Sequence, residues 1–306
     1  MQVFVTGGTG YVGGVLVEHL LAAGHDVRAL ARSEHAAQAL AAAGAAPVRG
    51  SLADLDVLRD AAANADAVVH AAVEQPGAPD ATEAELRAVA ALVAGAASSG
   101  GDAGRTAAPV VYTSTALVYG FDPAQDTSED AALPQISAQP FKAAAERLVL
   151  ESAGITPIVL RPGLVHGRGG SGLVRSLVEG AAVARVAAYV DSGENAWSAV
   201  HVDDLAALYV TAVERPVAGV FNVAEGAHFT FRELAEAIAD LTGTVAASVP
   251  LAVAEQRMGP LARVLATTSR LSAERAREAF GWRPAGPMLL DDVRAGSYRA
   301  AAVTVG

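Results

Sequence analysis

The residues best suited to chemistry begin at TGGTGYVG (6–13), between an apolar run and a helical pattern. In that setting Gly7 would permit a tight turn, Gly10 would let the backbone approach a pyrophosphate, and Gly13 would let the helix pack close to the sheet. The start of that helix, with Thr9, Tyr11 and Val12 around it, favours an anion. At the end of the second apolar run, ARSE (31–34) supplies no carboxylate for a ribose 2′-hydroxyl but does supply Arg32 and Ser33. A guanidinium and a hydroxyl suit a 2′-phosphate, because Arg binds phosphate through paired charge-assisted hydrogen bonds. NADP(H) is therefore expected over NAD(H).

A second signal is one amino group. Of 22 Lys and Arg residues only Lys142, in AQPFKAAAERL (138–148), is lysine. A single compact ammonium in a chain that otherwise uses arginine throughout is either a chance residue on an exposed helix face or a group kept for a task that a guanidinium would do badly.

These residues need a scaffold, and the pattern supplies one. QVFVTG (2–7), DVRALAR (26–32), APVRG (46–50), DAVVHAA (66–72), PVVYTST (109–115) and TPIVLRPG (156–163) read as strands. Helical stretches alternate with them, VGGVLVEHLLAAG (12–24) being the clearest, which is the signature of parallel β-α-β construction. SSGGDAGRTAAP (98–109) reads as a surface loop. Ligands of such sheets sit at the C-terminal ends of the strands, which makes Ala71, Ala72, Pro162, Val165 and His166 candidate lining residues. After residue 163 the pattern loosens, and HGRGGSG (166–172) and RMGPLARV (257–264) suggest a second, smaller subdomain.

Composition narrows the function. A length of 306 residues suits one large or two modest domains. With no cysteine, thiolate catalysis, disulfides and cysteine-held metal are excluded, and no metal site is expected. A formal charge of −11 and the lack of a basic stripe argue against nucleic acid. No run approaches the roughly 20 apolar residues of a membrane span, and Met1 leads straight into a strand pattern rather than a signal peptide. A cytoplasmic protein acting on a small molecule is expected.

The chain resembles the extended short-chain dehydrogenases/reductases, a family that also holds nucleotide-sugar epimerases and dihydroflavonol-reductase-like enzymes. Besides TGGTGYVG the likeness rests on VVHAA (68–72), YTSTALVYG (112–120), LRPGLVHG (160–167), WSAVHVDDLA (197–206), GVFNVA (219–224), FTFRELAEAI (229–238) and AFGWRP (279–284), and it covers nearly the whole length. It implies an α/β fold with a Rossmann-type doubly wound parallel sheet and a smaller C-terminal substrate-binding subdomain. Residues 1–165 and 198–225 would bind NADP, and 166–197 with 226–306 the substrate. A homodimer through two long helices, one bearing Lys142, is compatible with it.

The family's chemistry uses a Ser or Thr, a Tyr and a Lys. The hydroxyl orients the substrate oxygen, the tyrosine exchanges its proton, and the ammonium holds the cofactor ribose and lowers the tyrosine's pKa from near 10. Matching STALVYG places the substrate hydroxyl at Thr115, with Ser114 beside it. The Tyr-x-x-x-Lys motif falls on AQPFK, so Lys142 takes the lysine's place and Ala138 the tyrosine's. The family's Asp after the third strand, which contacts adenine, is replaced by Ser51.

Three readings follow. The first is an NADPH-dependent ketoreductase whose proton comes from a phenolic hydroxyl beside the ketone, as in aromatic polyketides of secondary metabolism, or by relay through Thr115, Ser114, Tyr119, His166 or water. His166 and Thr115 would then face the substrate, while Tyr119 and His70 serve packing and His201, Asp203 and Asp204 tie the two subdomains together. The second is a nucleotide-sugar epimerase or dehydratase. Ala138 counts against it, and so does a C-terminal region, 250–282, that is mostly apolar and lacks the Arg-x-Gly-Asp-like element. The third is a non-redox cofactor-binding scaffold or regulator.

Overall fold

The computed structural model describes residues 1–73, 81–99, 107–120, 122, 125–137 and 139–303. Ala138 and most of the loop expected over 98–109 lie outside them.

Six apolar runs become strands β1 (Gln2–Thr6), β2 (Asp26–Ala31), β3 (Ala46–Arg49), β4 (Ala67–His70), β5 (Ala108–Thr113) and β6 (Ile155–Pro162). The later strands are β7 (Leu164–His166), β8 (Val186–Val190), β9 (Ala196–His201), β10 (Gly219–Val223), β11 (His228–Thr230) and β12 (Val245–Val249). The helices that matter for the site are α1 (Tyr11–Ala22), α2 (Glu34–Ala43), α3 (Leu55–Ala63), α4 (Ala81–Ser99), α5 (Pro140–Glu151), α6 (Gly172–Ala184), α7 (Val202–Glu214) and α8 (Phe231–Thr242).

The central sheet has seven parallel strands in the order β10-β6-β5-β4-β1-β2-β3. The seventh, β10, arises from GVFNVA, which the sequence pattern did not mark as a strand. Side chains alternate across each strand, so the sheet builds two cores. Val3, Val5, Val69, Val111 and Leu160 pack with α1, α2 and α7, while Phe4, Val68, Val110, Tyr112 and Val159 pack with α3, α4 and α5. Two small sheets, β11-β9-β7 and β12-β8, lie outside the central one, and Trp197, Phe229 and Phe231 join α6 and α8 in a third core.

Register places one row at the C-terminal end of the sheet: Thr6 on β1 pairs with His70 on β4, which pairs with Tyr112 on β5. These three therefore share the face covered by α4 and α5, the helices that carry Glu85 and Lys142.

Candidate active site

The glycine-rich turn leaves β1 and enters α1. Gly7 has φ +79°, and a Cβ there would stand 2.6 Å from the backbone nitrogen of Ala72; one on Gly13 would stand 2.1 Å from the Gly7 carbonyl oxygen. Both positions thus exclude a side chain, so that turn, helix and the end of β4 can meet. Gly10 is the N-cap of α1, with no side chain capping the helix and no acidic residue in its first turn. The open N–H groups of that turn face a groove lined by Gly7, Thr9, Gly10, Tyr11, Val12, Gly13, Leu30, Arg32, Ser51 and Leu52. An uncapped helix N-terminus of this kind, free of carboxylates, fits a pyrophosphate.

Arg32 borders this groove, is exposed, and has no ion pair among the described residues. Ser33 is not in the lining; its hydroxyl caps α2 by accepting from Ala36 N at 3.1 Å, so a phosphate there would be met by its proton. Ser51 donates from N and Oγ to Asp54 at 2.7 and 2.8 Å, bonds that hold the Asp54 carboxyl below its usual range.

Ala71, Ala72 and Val73 continue the groove into a second chamber of about 580 Å³, whose lining includes Thr113, Ser114, Thr115, Lys142, Pro162, Gly163 and Val165. The residues expected from sequence to hold the cofactor thus border one continuous groove, Ser33 excepted.

One residue before the lining residues Ala71 and Thr113, the row from the sheet is buried beside the chamber. Thr6 Oγ1 is 2.7 Å from His70 Nδ1, and the His70 ring stacks on Tyr112 with centroids 5.6 Å apart. Beneath them Glu85, fully buried, accepts from Tyr112 Oη at 2.7 Å and from Lys142 Nζ at 3.0 Å, with His70 Nε2 at 3.4 Å. Lys142 stands in the first turn of α5, is 5% exposed, donates also to the Thr113 carbonyl at 3.1 Å, and lies 4.7 Å over the Tyr112 ring. Burial alone would raise Glu85, but His70, Lys142 and Tyr112 outweigh it and bring its pKa to about 2. The ammonium has less support, and burial pulls Lys142 below its ordinary 10.5 against the attraction of Glu85 and Glu146.

The other expected groups divide. Thr115 lines the chamber, its oxygen accepting from Leu117 N at 3.2 Å to start a short 3-10 turn, 116–119. Ser114 also borders the chamber but donates its proton to buried Glu146. Tyr119 is buried, its hydroxyl 2.9 Å from Asn222 Oδ1 and 2.8 Å from Arg161 Nη1. His166, expected at the substrate, is instead fully buried and outside the groove's lining. Its Nε2 lies 2.8 Å from Glu225 and its Nδ1 3.5 Å from Asp292. The physical reason is its place on β7: the short strand pairs with β9 and points the ring into those two carboxylates. Burial opposes its charge, yet the two acids hold its pKa above the ordinary value.

His201 caps α7, Asp203 binds Arg168 and His19, and Asp204 accepts from Ala285 N and Gly286 N at 2.9 Å, tying the C-terminal segment to α7.

Sequence reasoning overlooked Glu85 and Glu146. A signal was present: Glu85 shares a helical stripe with Ala88, Val89, Leu92 and Ala96, and Glu146 with Lys142, Ala145 and Val149, all buried. A carboxylate on an otherwise apolar stripe must be paired.

A second cavity, about 300 Å³, opens in the C-terminal lobe. Its walls include Leu177 on α6, Ala187 and Tyr189 on β8, and Phe231, Leu234 and Ile238 on α8, with exposed Arg257 and Met258 among the lining residues. Leu117, two residues after Thr115, packs on the same apolar cluster.

Comparison with known proteins agrees with this architecture. The family model described as "NAD dependent epimerase/dehydratase family" matches residues 3–224. An uncharacterised protein of Schizosaccharomyces pombe is 32% identical over 97% of this chain and 100% of its own. A Stigmatella aurantiaca protein, 4-hydroxy-2-methyl-3-oxo-4-farnesyl-3,4-dihydroquinoline-1-oxide ketoreductase, is 31% identical over 79% of this chain and 74% of its own. The Thermus thermophilus UDP-glucose 4-epimerase, solved with NAD, superposes with a TM-score of 0.73 over 98% of both chains at 24% identity, a likeness of fold.

Proposed function

The chain belongs to the NAD dependent epimerase/dehydratase family and is an NAD(P)-dependent oxidoreductase, and within that family we propose that it is an NADPH-dependent reductase of an apolar ketone. The observation that carries this reading is a separate apolar cavity in the C-terminal lobe, lined by aromatic and aliphatic side chains of the cluster on which Leu117, two residues after Thr115, also packs. Such a cavity favours an alkyl, prenyl or fused-ring substituent over a sugar nucleotide, whose hydroxyls and phosphates would find one guanidinium, Arg257, among mostly carbon walls. The farnesyl quinoline-oxide named for the Stigmatella relative is a substrate of that chemical kind.

In this reading residues 1–165 and 198–225 carry the cofactor and 166–197 with 226–306 the ketone. Gly7, Gly10 and Gly13 shape the turn for the pyrophosphate, Arg32 and Ser33 meet the 2′-phosphate, and Lys142 stands at the nicotinamide ribose. When bound, the reduced nicotinamide supplies a hydride to the carbonyl carbon. Thr115 orients the carbonyl oxygen, and the apolar walls exclude water.

The test is label transfer. Purified protein is given NADPH deuterated on either face of the nicotinamide and a panel of ketones with alkyl, prenyl or aromatic substituents, and mass spectrometry reads the alcohols. Deuterium from one face, in alcohols from the apolar ketones, is expected. Tight NADPH binding with no label in any alcohol would turn the assignment towards sugar modification or a non-redox role.

A further inference from the structure

In the sequence Ala138 stands where the family motif has the tyrosine that gives its proton, and among the described residues most of the substitutes are engaged elsewhere. The Ser114 proton is held by Glu146, the Tyr119 hydroxyl is buried against Arg161 and Asn222, and His166 lies outside the groove between two carboxylates. Thr115 remains, but an aliphatic hydroxyl is no stronger an acid than the alcohol being formed, so it can pass a proton and not supply one. Among the described residues that line the chamber, one acidic group is left. Lys142 Nζ carries three N–H bonds; one is directed to Glu85 Oε1 and one to the Thr113 carbonyl, and the third has no partner among the described residues. Lys142 also borders the chamber that holds Thr115.

Resting on the ketoreductase reading, we propose that Lys142 is the catalytic proton donor, giving its unpartnered N–H to the substrate oxygen, with Glu85 as the residue that positions it. With hydride supplied by a reduced nicotinamide, whose C–H bond would break as the ring is oxidised, a new C–H bond forms on the carbonyl carbon, the π pair moves to oxygen, the Lys142 N–H breaks and an O–H bond forms. Lys142 is left as a neutral amine and regains its proton from water entering the groove. Burial, which lowers Lys142 from 10.5, makes the ammonium a better acid than a free lysine. The charged and titratable groups that face it are Glu85 from α4, His70 from β4, Tyr112 from β5 and Glu146 from its own helix α5. Glu85 prevents the ammonium from losing its proton too early and fixes its direction. This also accounts for the solitary lysine, since a guanidinium does not release a proton in the working pH range.

The composition of the chain makes the test clean. Protein labelled with carbon-13 at lysine Cε gives a single resonance, that of Lys142, which can be titrated by NMR in the full chain with and without NADPH. In parallel, the alkaline limb of kcat/KM is measured with a ketone that has no acidic hydroxyl of its own. The expected result is that the resonance and the kinetic limb share one midpoint, and that Glu85→Gln lowers both together by about 1–3 pH units. Lys142→Arg should still bind NADPH by fluorescence titration but lose turnover at least about 100-fold, with no alkaline limb below pH 11. A limb that stays in place while the resonance moves overturns the proposal, as does Lys142→Arg with turnover near that of the wild type. If the wild type reduces no ketone at all, the ketoreductase reading fails and the proposal with it, whereas turnover with an uncoupled limb overturns the proposal alone.

Discussion

Two buried ion pairs flank the end of β5, and they are built from the same parts to different ends. In each, a helix carboxylate on an apolar stripe accepts from a β5 or post-β5 hydroxyl and holds a cation: Glu85 with Tyr112 and Lys142, Glu146 with Ser114 and Arg161. The second pair is closed. Arg161 binds Glu146 through Nε at 3.0 and 3.2 Å and also through Nη2, and its third nitrogen meets Tyr119. The first is open: among the described residues Glu85 Oε2 has no hydrogen-bond partner and one Lys142 N–H beside the groove has none. A closed pair can only hold the strand ends together; an open one has a group left over for chemistry.

Breaking the closed pair should produce the largest effect on the fold. Arg161→Met strands Glu146 in the core and should cost about 3–5 kcal/mol, roughly 10 °C in melting temperature. A variant that melts with the wild type would remove the distinction between the two pairs. Ser114→Ala takes away a hydroxyl bond to the same carboxylate while leaving the guanidinium in place, so about 1–3 kcal/mol is expected in denaturant unfolding. A loss as large as that of Arg161→Met would mean that the hydroxyl, rather than the bidentate contact, closes the pair.

The smallest effect concerns a third buried cluster, His166 with Glu225 and Asp292, which serves as a reference without connection to the groove. The folded pKa of His166 is raised above 6.5, so the imidazolium's contribution is fully present below that value and is lost as pH climbs through the higher folded value. The melting temperature should therefore decline slightly as pH rises above 6.5, and His166→Gln should flatten that slope. An unaltered slope in the variant would assign the decline to other groups.

Much of this was legible in advance because period and punctuation are local properties. Six strands and α1 follow from alternating apolar runs and a glycine-marked turn, which also point Gly7, Gly10, Gly13 and Arg32 at the groove, whereas Lys142 is placed there by the family motif that AQPFK resembles. Strand β10 escaped because GVFNV is half exposed at its first two residues and follows an irregular stretch. Glu85 escaped for a different reason. Its importance depends on the phase of α4 against the sheet, a tertiary property, and a glutamate next to Glu83 in an alanine-rich helix looks solvated until that phase is known. His166 was misplaced because a residue just past the C-terminal end of a parallel strand ordinarily faces the ligand, whereas here the chain continues into β7 and turns the ring inward.

Tyr11 has a wider consequence. It opens α1 at the glycine-rich turn, yet its hydroxyl donates to the Gly167 carbonyl at 2.7 Å, and its ring fills the space where a side chain on Gly170 would stand. The segment after Gly170 becomes α6, a wall of the apolar cavity. The glycine-rich turn is thus bolted through Tyr11 to the frame of the apolar cavity, a single joint shared by the two compartments.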